Sequence, residues 1–370
     1  MDVLLLVLGA SLIVIALADL LNTLVTTSTS AARWWPSRVV AYRTFSALRL
    51  VTSRMAETSR TRERLLSLYA PLLVLTLLAM WTVMQVTGFA LVWLSIGGID
   101  GVDSFGDAAY YSGVVYFTLG FGEVLPSAGI ARFGALTEAF VGVTNTALVI
   151  GYLPSLYSAY SAREQKLMTL DDGSDDRITP TSLVMAWAPD ADPERLNARF
   201  TDWEHWVTNV LETHSTLPVL RFFRSHDERQ NWVTALGLLS DAAIHAQIIV
   251  GSSGRSESYW FIRRAIALFE ELTDGVDLSA YDELVYDADI DDETTSPMFL
   301  ELYGQLEAHG FELLPIGEAS RRAGILRNRF SRELEYLIDT LLCPRGFWSP
   351  DIGLDIDELL SNDVGVDERN

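Results

Sequence analysis

Polar positions almost vanish from three stretches of the chain. Residues 3–26, 65–99 and 133–160 are each apolar and long enough to cross a bilayer core, which takes about 20 helical residues. No charge interrupts the second, and the third contains only Glu138. The first follows an acidic start (Asp2), and positive charge comes after the apolar run rather than before it. That order is the reverse of a cleaved leader, so residues 3–26 read as a retained span.

Between the second and third stretches the pattern changes character. Residues 107–117, DAAYYSGVVYF, are too short to span but suffice for a helix of about three turns capped by Asp107. The glycines of TLGFG (118–122) then end that helix. Irregular backbone at membrane depth is tolerated only where it lines water or is buried in protein. The pattern predicts a re-entrant loop whose carbonyls face an aqueous path. Gly120 and Gly122 take positive φ cheaply, which lets successive carbonyls point the same way. One such loop cannot encircle an ion, so several chains around an axis are implied.

Charge gives the orientation. Eight arginines and two acids lie between residues 29 and 64, which places this connection in the cytoplasm. The N-terminus is then outside. The 97–107 connection, with Asp100, Asp103 and Asp107 and no base, is also outside, and the C-terminal half is inside. Residues 38–55 suggest an interfacial helix with Val40, Phe45, Leu48, Val51 and Met55 on one face. Residues 163–370 carry 40 acidic and 18 basic groups, the whole of the chain's −22. Such a tail attracts cations and does not hold nucleic acid by charge. The single cysteine, Cys343, excludes an intramolecular disulfide.

Residues 66–165 resemble the pore module of tetrameric potassium channels. TLGFG stands where that family has threonine, an aliphatic residue, glycine, tyrosine or phenylalanine, and glycine. The resemblance implies that the carbonyls of Thr118, Leu119, Gly120 and Phe121, with the Thr118 hydroxyl and closing Gly122, replace the hydration shell of K⁺. It places Glu123 at the outer mouth, and it casts Tyr110 and Tyr111 as the aromatic pair bracing the filter. Gly142 falls at the inner-helix hinge position, Val143, Thr146 and Ile150 line the cavity, and Pro154 stands near the inner gate. AREQ (162–165) resembles the end of the inner helix in simple bacterial channels. Three positions depart from the pattern: Phe117 replaces an additional threonine, Phe121 lacks the tyrosine hydroxyl, and Leu119 is bulkier than the usual valine.

Other polar residues in the spans have structural readings. Asp19, Asn22, Thr23 and Thr26 share one helix face and are expected to pack against the pore module and bond polar groups there. Glu138 shares a face with Gly142 and Asn145, and is expected to support the filter by bonding the back of a neighbouring pore helix. In the tail, segments 193–214, 227–250, 257–273, 297–310 and 318–342 have helical periodicity, which suggests a bundle. Residues 216–241 resemble a stretch of uncharacterised bacterial single-pore channel-like proteins. No GxGxxG follows a strand, so the dinucleotide fingerprint is missing. Asp287, Asp289 and Asp291 offer oxygen ligands for a weak cation site. The EF-hand pattern fails there, however, and a solvated acidic loop is the favoured reading. No catalytic constellation stands out, which argues against an enzyme, and no cofactor is implied.

The expectation is an all-α membrane protein with three transmembrane helices, a re-entrant pore helix and filter loop, and a helical cytoplasmic domain. Its parts are a first transmembrane helix (1–28), a basic cytoplasmic connection (29–65), the pore module (66–165), a linker (166–182) and the acidic domain (183–370). The corresponding function is a homotetrameric, potassium-selective channel of a prokaryotic plasma membrane, with lipid, K⁺ and its own copies as partners. A weakly selective monovalent cation channel and a membrane-anchored sensor or scaffold with a vestigial pore remain as alternatives.

Overall fold

A computed structural model describes residues 2–24, 35–55, 59–127, 129–170, 178–225, 231–284 and 296–343. It is helical throughout, with no strand among the described residues beyond two isolated bridges. Two units separate, Met1–Ser161 with Thr213–Phe223, and Ala162–Glu212 with Arg224–Asn370.

The first unit is built on three helices long and apolar enough to span: α1 (Val3–Leu24), α3 (Arg60–Ile96) and α5 (Gly129–Leu167). Between α1 and α3 lies α2 (Pro36–Thr52), and between α3 and α5 lies α4 (Phe105–Tyr116). Helices α1 and α3 run antiparallel. Ser95 Oγ donates to the Asp2 carbonyl at one end (2.8 Å), and Trp81 Nε1 donates to Asp19 further along (2.7 Å). At the crossing between these, a Cβ on Gly9 would lie 2.5 Å from the Gly88 carbonyl oxygen. Two backbones that touch this closely leave room only for glycine, a common device where apolar burial cannot drive helices together.

The polar face of α1 packs against α2 and α3. Asp19 is fully buried. Its carboxylate accepts from Trp81 Nε1, from the Ser37 backbone N–H (3.0 Å) and from Ser37 Oγ (2.7 Å). Ser37 is the second residue of α2, so the carboxylate sits at a helix N-terminus, where unpaired N–H groups and the dipole favour negative charge. Thr23 Oγ1 extends the cluster to Ser37 Oγ (3.1 Å), and Thr26 lies outside the described residues. Helix α2 packs through Phe45 on Tyr69 (ring centroids 5.0 Å apart), and Tyr69 Oη donates to the Ala41 carbonyl. Val51 is exposed in the single chain.

Sequence order also misplaces one tail segment. Thr213–Phe223 packs with the first unit, where Phe222 of the short 3-10 helix Pro218–Phe222 meets the rings of Phe45 (5.2 Å) and Tyr69 (5.4 Å).

The second unit is a helical domain of α6 (Pro180–Trp187), most of α7 (Pro193–Thr216), α8 (Trp232–Gln247), α9 (Glu257–Leu272), α10 (Pro297–His309), α11 (Ile316–Arg327) and α12 (Ser331–Leu341). Every residue of α8 is buried. Apart from Asp241, His245 and Gln247 its residues are apolar or small, the composition of a central helix rather than a surface one. Two differences from the periodic pattern stand out. The expected linker is already helical from Pro180, where Thr179 and Ser182 form a capping box. The expected helix over 318–342 is two helices, because Phe330 at the break is fully buried and stacks on Phe269 (5.3 Å, 9° between planes).

A buried pair, Asp241 and Arg327, joins α8 to α11. One turn beyond Asp241, His245 is wholly buried. Its Nδ1 lies 3.4 Å from Thr181 Oγ1, and its Nε2 has no hydrogen-bond partner among the described residues. Burial pushes its pKa down to about 3. The folded state therefore keeps the ring neutral, while the unfolded chain takes up a proton below about 6.5. The contribution to stability is complete above that pH and is lost as pH falls toward 3, by about 1.4 kcal/mol per pH unit. His245→Gln is expected to flatten this part of the acid limb. Chemical denaturation of the protein and the variant between pH 4 and 7 checks it, and equal slopes would contradict it.

Candidate functional site

The loop after α4 is positioned from both ends. Helix α4 starts with a capping box, in which Ser104 Oγ accepts from the Asp107 N–H (3.3 Å) and Asp107 Oδ2 accepts from the Ser104 N–H (3.0 Å). Ser104 is thus the cap, and Asp107, the cap expected from sequence, is the third helical residue. Bonds from Ser104 hold the Asp107 carboxyl below its ordinary pKa. At the other end, Phe117 N donates to Gly113 O (3.0 Å), Thr118 N to Val115 O (3.0 Å) and Leu119 N to Val114 O (2.9 Å). The start of TLGFG is thereby fastened to the last turn of α4.

Within the loop every second residue is left-handed: Thr118 at φ 54°, Gly120 at 61° and Gly122 at 79°. Glycine adopts this conformation freely, whereas threonine is strained there. Alternation of this kind is what allows successive peptide carbonyls to face one side. The whole loop is exposed in the single chain, with Leu119 55% and Phe121 64% accessible.

The two tyrosines of α4 part company. Tyr111 is buried and meets Trp93 edge to face (5.7 Å). Tyr110 is exposed and its hydroxyl donates to Glu123, which ties the outer end of the loop to α4. Adjacent residues on a helix lie about 100° apart, so within the single chain the two side chains meet different surroundings. After Glu123 the chain is pinned to the segment before α4: Ile99 pairs with Pro126, and Ser127 N donates to Gly98 O (2.9 Å).

Behind α4 sits a buried polar network. Glu138 is fully buried and accepts from Trp93 Nε1 (2.8 Å) and from Ser112 Oγ. Ser112 belongs to the pore helix of the same chain, so Glu138 bonds the back of that helix. Asn145 Nδ2 donates to Gln85 Oε1 (2.6 Å) and to Tyr116 Oη (3.0 Å). Ser112, Trp93, Gln85 and Tyr116 were not legible as partners from sequence; uncharged polar side chains inside apolar stretches were the available signal. Gly142 lies at the closest approach of α5 to α4: a Cβ there would be 2.0 Å from the Tyr116 carbonyl oxygen. Helix α5 runs unbroken through both Gly142 and Pro154.

Val143, Thr146, Ile150 and Pro154 lie on the exposed face of α5 in the single chain. Thr146 Oγ1 is turned back to the Gly142 carbonyl (3.0 Å). Asp287, Asp289 and Asp291 lie outside the described residues. No cluster of three metal-ligating side chains occurs among the described residues.

A protein-family profile described as "Ion channel" matches residues 76–158, which cover most of α3, all of α4, the loop and most of α5. The chain is also similar to an uncharacterized membrane protein, YdjJ, of Bacillus subtilis (strain 168), at 24% identity over 193 residues. That alignment covers 50% of this chain and 55% of YdjJ, so the chain spans about half the length of the relative it matches. No solved structure matches. With the three apolar helices, these matches make the chain a membrane protein that carries an ion channel domain at residues 76–158.

Proposed function

We propose that the protein is a homotetrameric channel that passes K⁺ through the 118–122 loop. The observation that carries this reading is the alternation of left-handed residues at Thr118, Gly120 and Gly122 on an exposed loop held between two spans. Oxygens of Thr118, Leu119, Gly120 and Phe121 would take over the ion's hydration shell, with the Thr118 hydroxyl at the inner end. The exposed side chains of Leu119 and Phe121 find cover only when further copies close around the axis.

Charge supports a cation path. The segment 97–127 holds Asp100, Asp103, Asp107 and Glu123 and no basic residue, so its field concentrates cations at that mouth. The arginine-rich 29–64 connection favours an outside N-terminus and a cytoplasmic tail in a prokaryotic plasma membrane. Asp287, Asp289 and Asp291 would act there as diffuse negative charge. No catalytic role is proposed for any residue.

Reversal potential in planar bilayers under a K⁺/Na⁺ gradient tests the reading. A value near the K⁺ equilibrium potential is expected, with Thr118→Ala weakening ion binding at the inner end while leaving assembly intact. The exposure of Phe121, which has no hydroxyl to anchor it, favours a second reading as a weakly selective cation channel. A reversal potential near zero would select that reading. Absence of any flux from assembled protein would sink both and leave the tail as the working part.

A further inference from the structure

A cleft of about 960 Å³ opens in the second unit. Its lining includes Gln247 at the end of α8, Arg255, Tyr259, and Glu318, Arg321 and Arg322 of α11. The lining shares one anchor. Gln247 Nε2 donates to Ser252 O (3.0 Å), Ser256 Oγ (2.8 Å) and Ser258 Oγ (2.8 Å), and its Oε1 accepts from the Gly254 N–H (3.1 Å). These bonds fix the loop that presents Arg255. Arg322 Nη1 donates to the Gln247 carbonyl (3.3 Å), which ties α11 to the same residue.

Three guanidiniums facing one cleft are unexpected in this half of the chain, where acids outnumber bases 40 to 18. Carboxylate partners are plentiful, and Arg195, Arg264, Arg329 and Arg332 each find one. Arg255 and Arg321 find none among the described residues, and Arg322 has Glu318 at 3.4 Å. Self-repulsion of acidic groups should draw acids toward any free arginine. An arginine cluster left open in such a field is arranged for an anion from outside the chain.

We propose that this cleft binds a small soluble anion bearing two or more linked phosphates. Guanidinium forks match phosphate oxygens two at a time, and two linked phosphates present enough oxygens to engage all three arginines. The volume admits a molecule of nucleotide size, and Tyr259 lines the cleft beside the arginines. Binding here does not depend on whether the loop at 118–122 conducts.

The test is calorimetric titration of the intact full-length protein in detergent with inorganic pyrophosphate, without flux measurement. Saturable binding at one site per chain is expected. The double variant Arg255→Gln/Arg321→Gln should bind at least about tenfold more weakly, in line with the loss of charge-assisted bonds. Arg199→Gln, an exposed arginine outside the cleft, should bind as the parent does. Should the double variant fold poorly, the two single variants carry the same comparison. Absence of saturable heat from the parent overturns the proposal, as does equal affinity in the cleft variants. Loss of binding to phosphatidylglycerol vesicles in the double variant, with no pyrophosphate binding by the parent, would identify a lipid headgroup instead and overturn the soluble-ligand assignment.

Discussion

Alanine at position 120 is expected to abolish K⁺ flux while leaving a folded, assembled protein. Gly120 has a φ of 61°, and a Cβ there would meet no atom within 4 Å in the single chain. The penalty is therefore conformational, about 1–2 kcal/mol for an L-residue forced into the left-handed region. It recurs in every copy that lines the axis, so a tetramer pays it four times. The loop can escape only by rotating the 119–120 and 120–121 peptides, which are the groups proposed to hold the ion. A control lies close by. Gly113 sits inside α4 with equally open space around a Cβ, so Gly113→Ala should raise helix stability by up to about 1 kcal/mol and leave flux near that of the parent. Flux into liposomes, with size-exclusion profiles to establish assembly, measures both. If Gly120→Ala conducts and selects like the parent, the loop is not the ion path and the channel mechanism proposed for it fails.

Gly142→Ala is expected to lower the thermal stability of the assembled protein and to impair selectivity together. The added methyl would stand 2.0 Å from the Tyr116 carbonyl oxygen and 2.9 Å from its carbonyl carbon. Both neighbours are backbone, so no side-chain rotation relieves the clash, and α5 must move away from the end of α4. Overpacking of this kind costs about 1–3 kcal/mol. Tyr116 lies two residues before Thr118, so a displaced Tyr116 reaches the loop directly. A hinge glycine behaves differently: alanine would strengthen the helix by up to about 1 kcal/mol and reduce only its bending. The unfolding midpoint of the detergent-purified variant separates these roles. A higher midpoint combined with less frequent opening would return Gly142 to the hinge assignment.

The pore helix and the left-handed glycines were legible because both are local. Helix length follows from the apolar run, and positive φ from glycine's missing Cβ. The cap shifted from Asp107 to Ser104 because both residue types can cap a helix and the sequence alone does not say at which of them the helix begins. Tyr110 and Tyr111 were paired by the resemblance to the potassium-channel pore module. In the fold one faces Trp93 and the other Glu123, a divergence fixed by what surrounds α4.

The tail shows the same division. Helical periodicity located most of its helices, but it carried no sign that Thr213–Phe223 would leave them for the rings of Phe45 and Tyr69. Nor did it join Arg255 to Arg321, 66 positions apart in the chain and both lining one cleft.

By itself the sequence determined three apolar spans, a glycine-ended helix between the last two, and an acidic helical domain after them. These follow from composition and periodicity, which act over a few residues at a time. Only the tertiary structure decided that Glu138 supports its own chain's pore helix, that Gly142 is a contact between backbones, and that Asp19 closes the N-terminus of α2. Each of those roles depends on which groups meet at hydrogen-bond or van der Waals distance across 18 to 26 positions of chain. Such meetings are set by the packing of whole helices, and no local pattern encodes them.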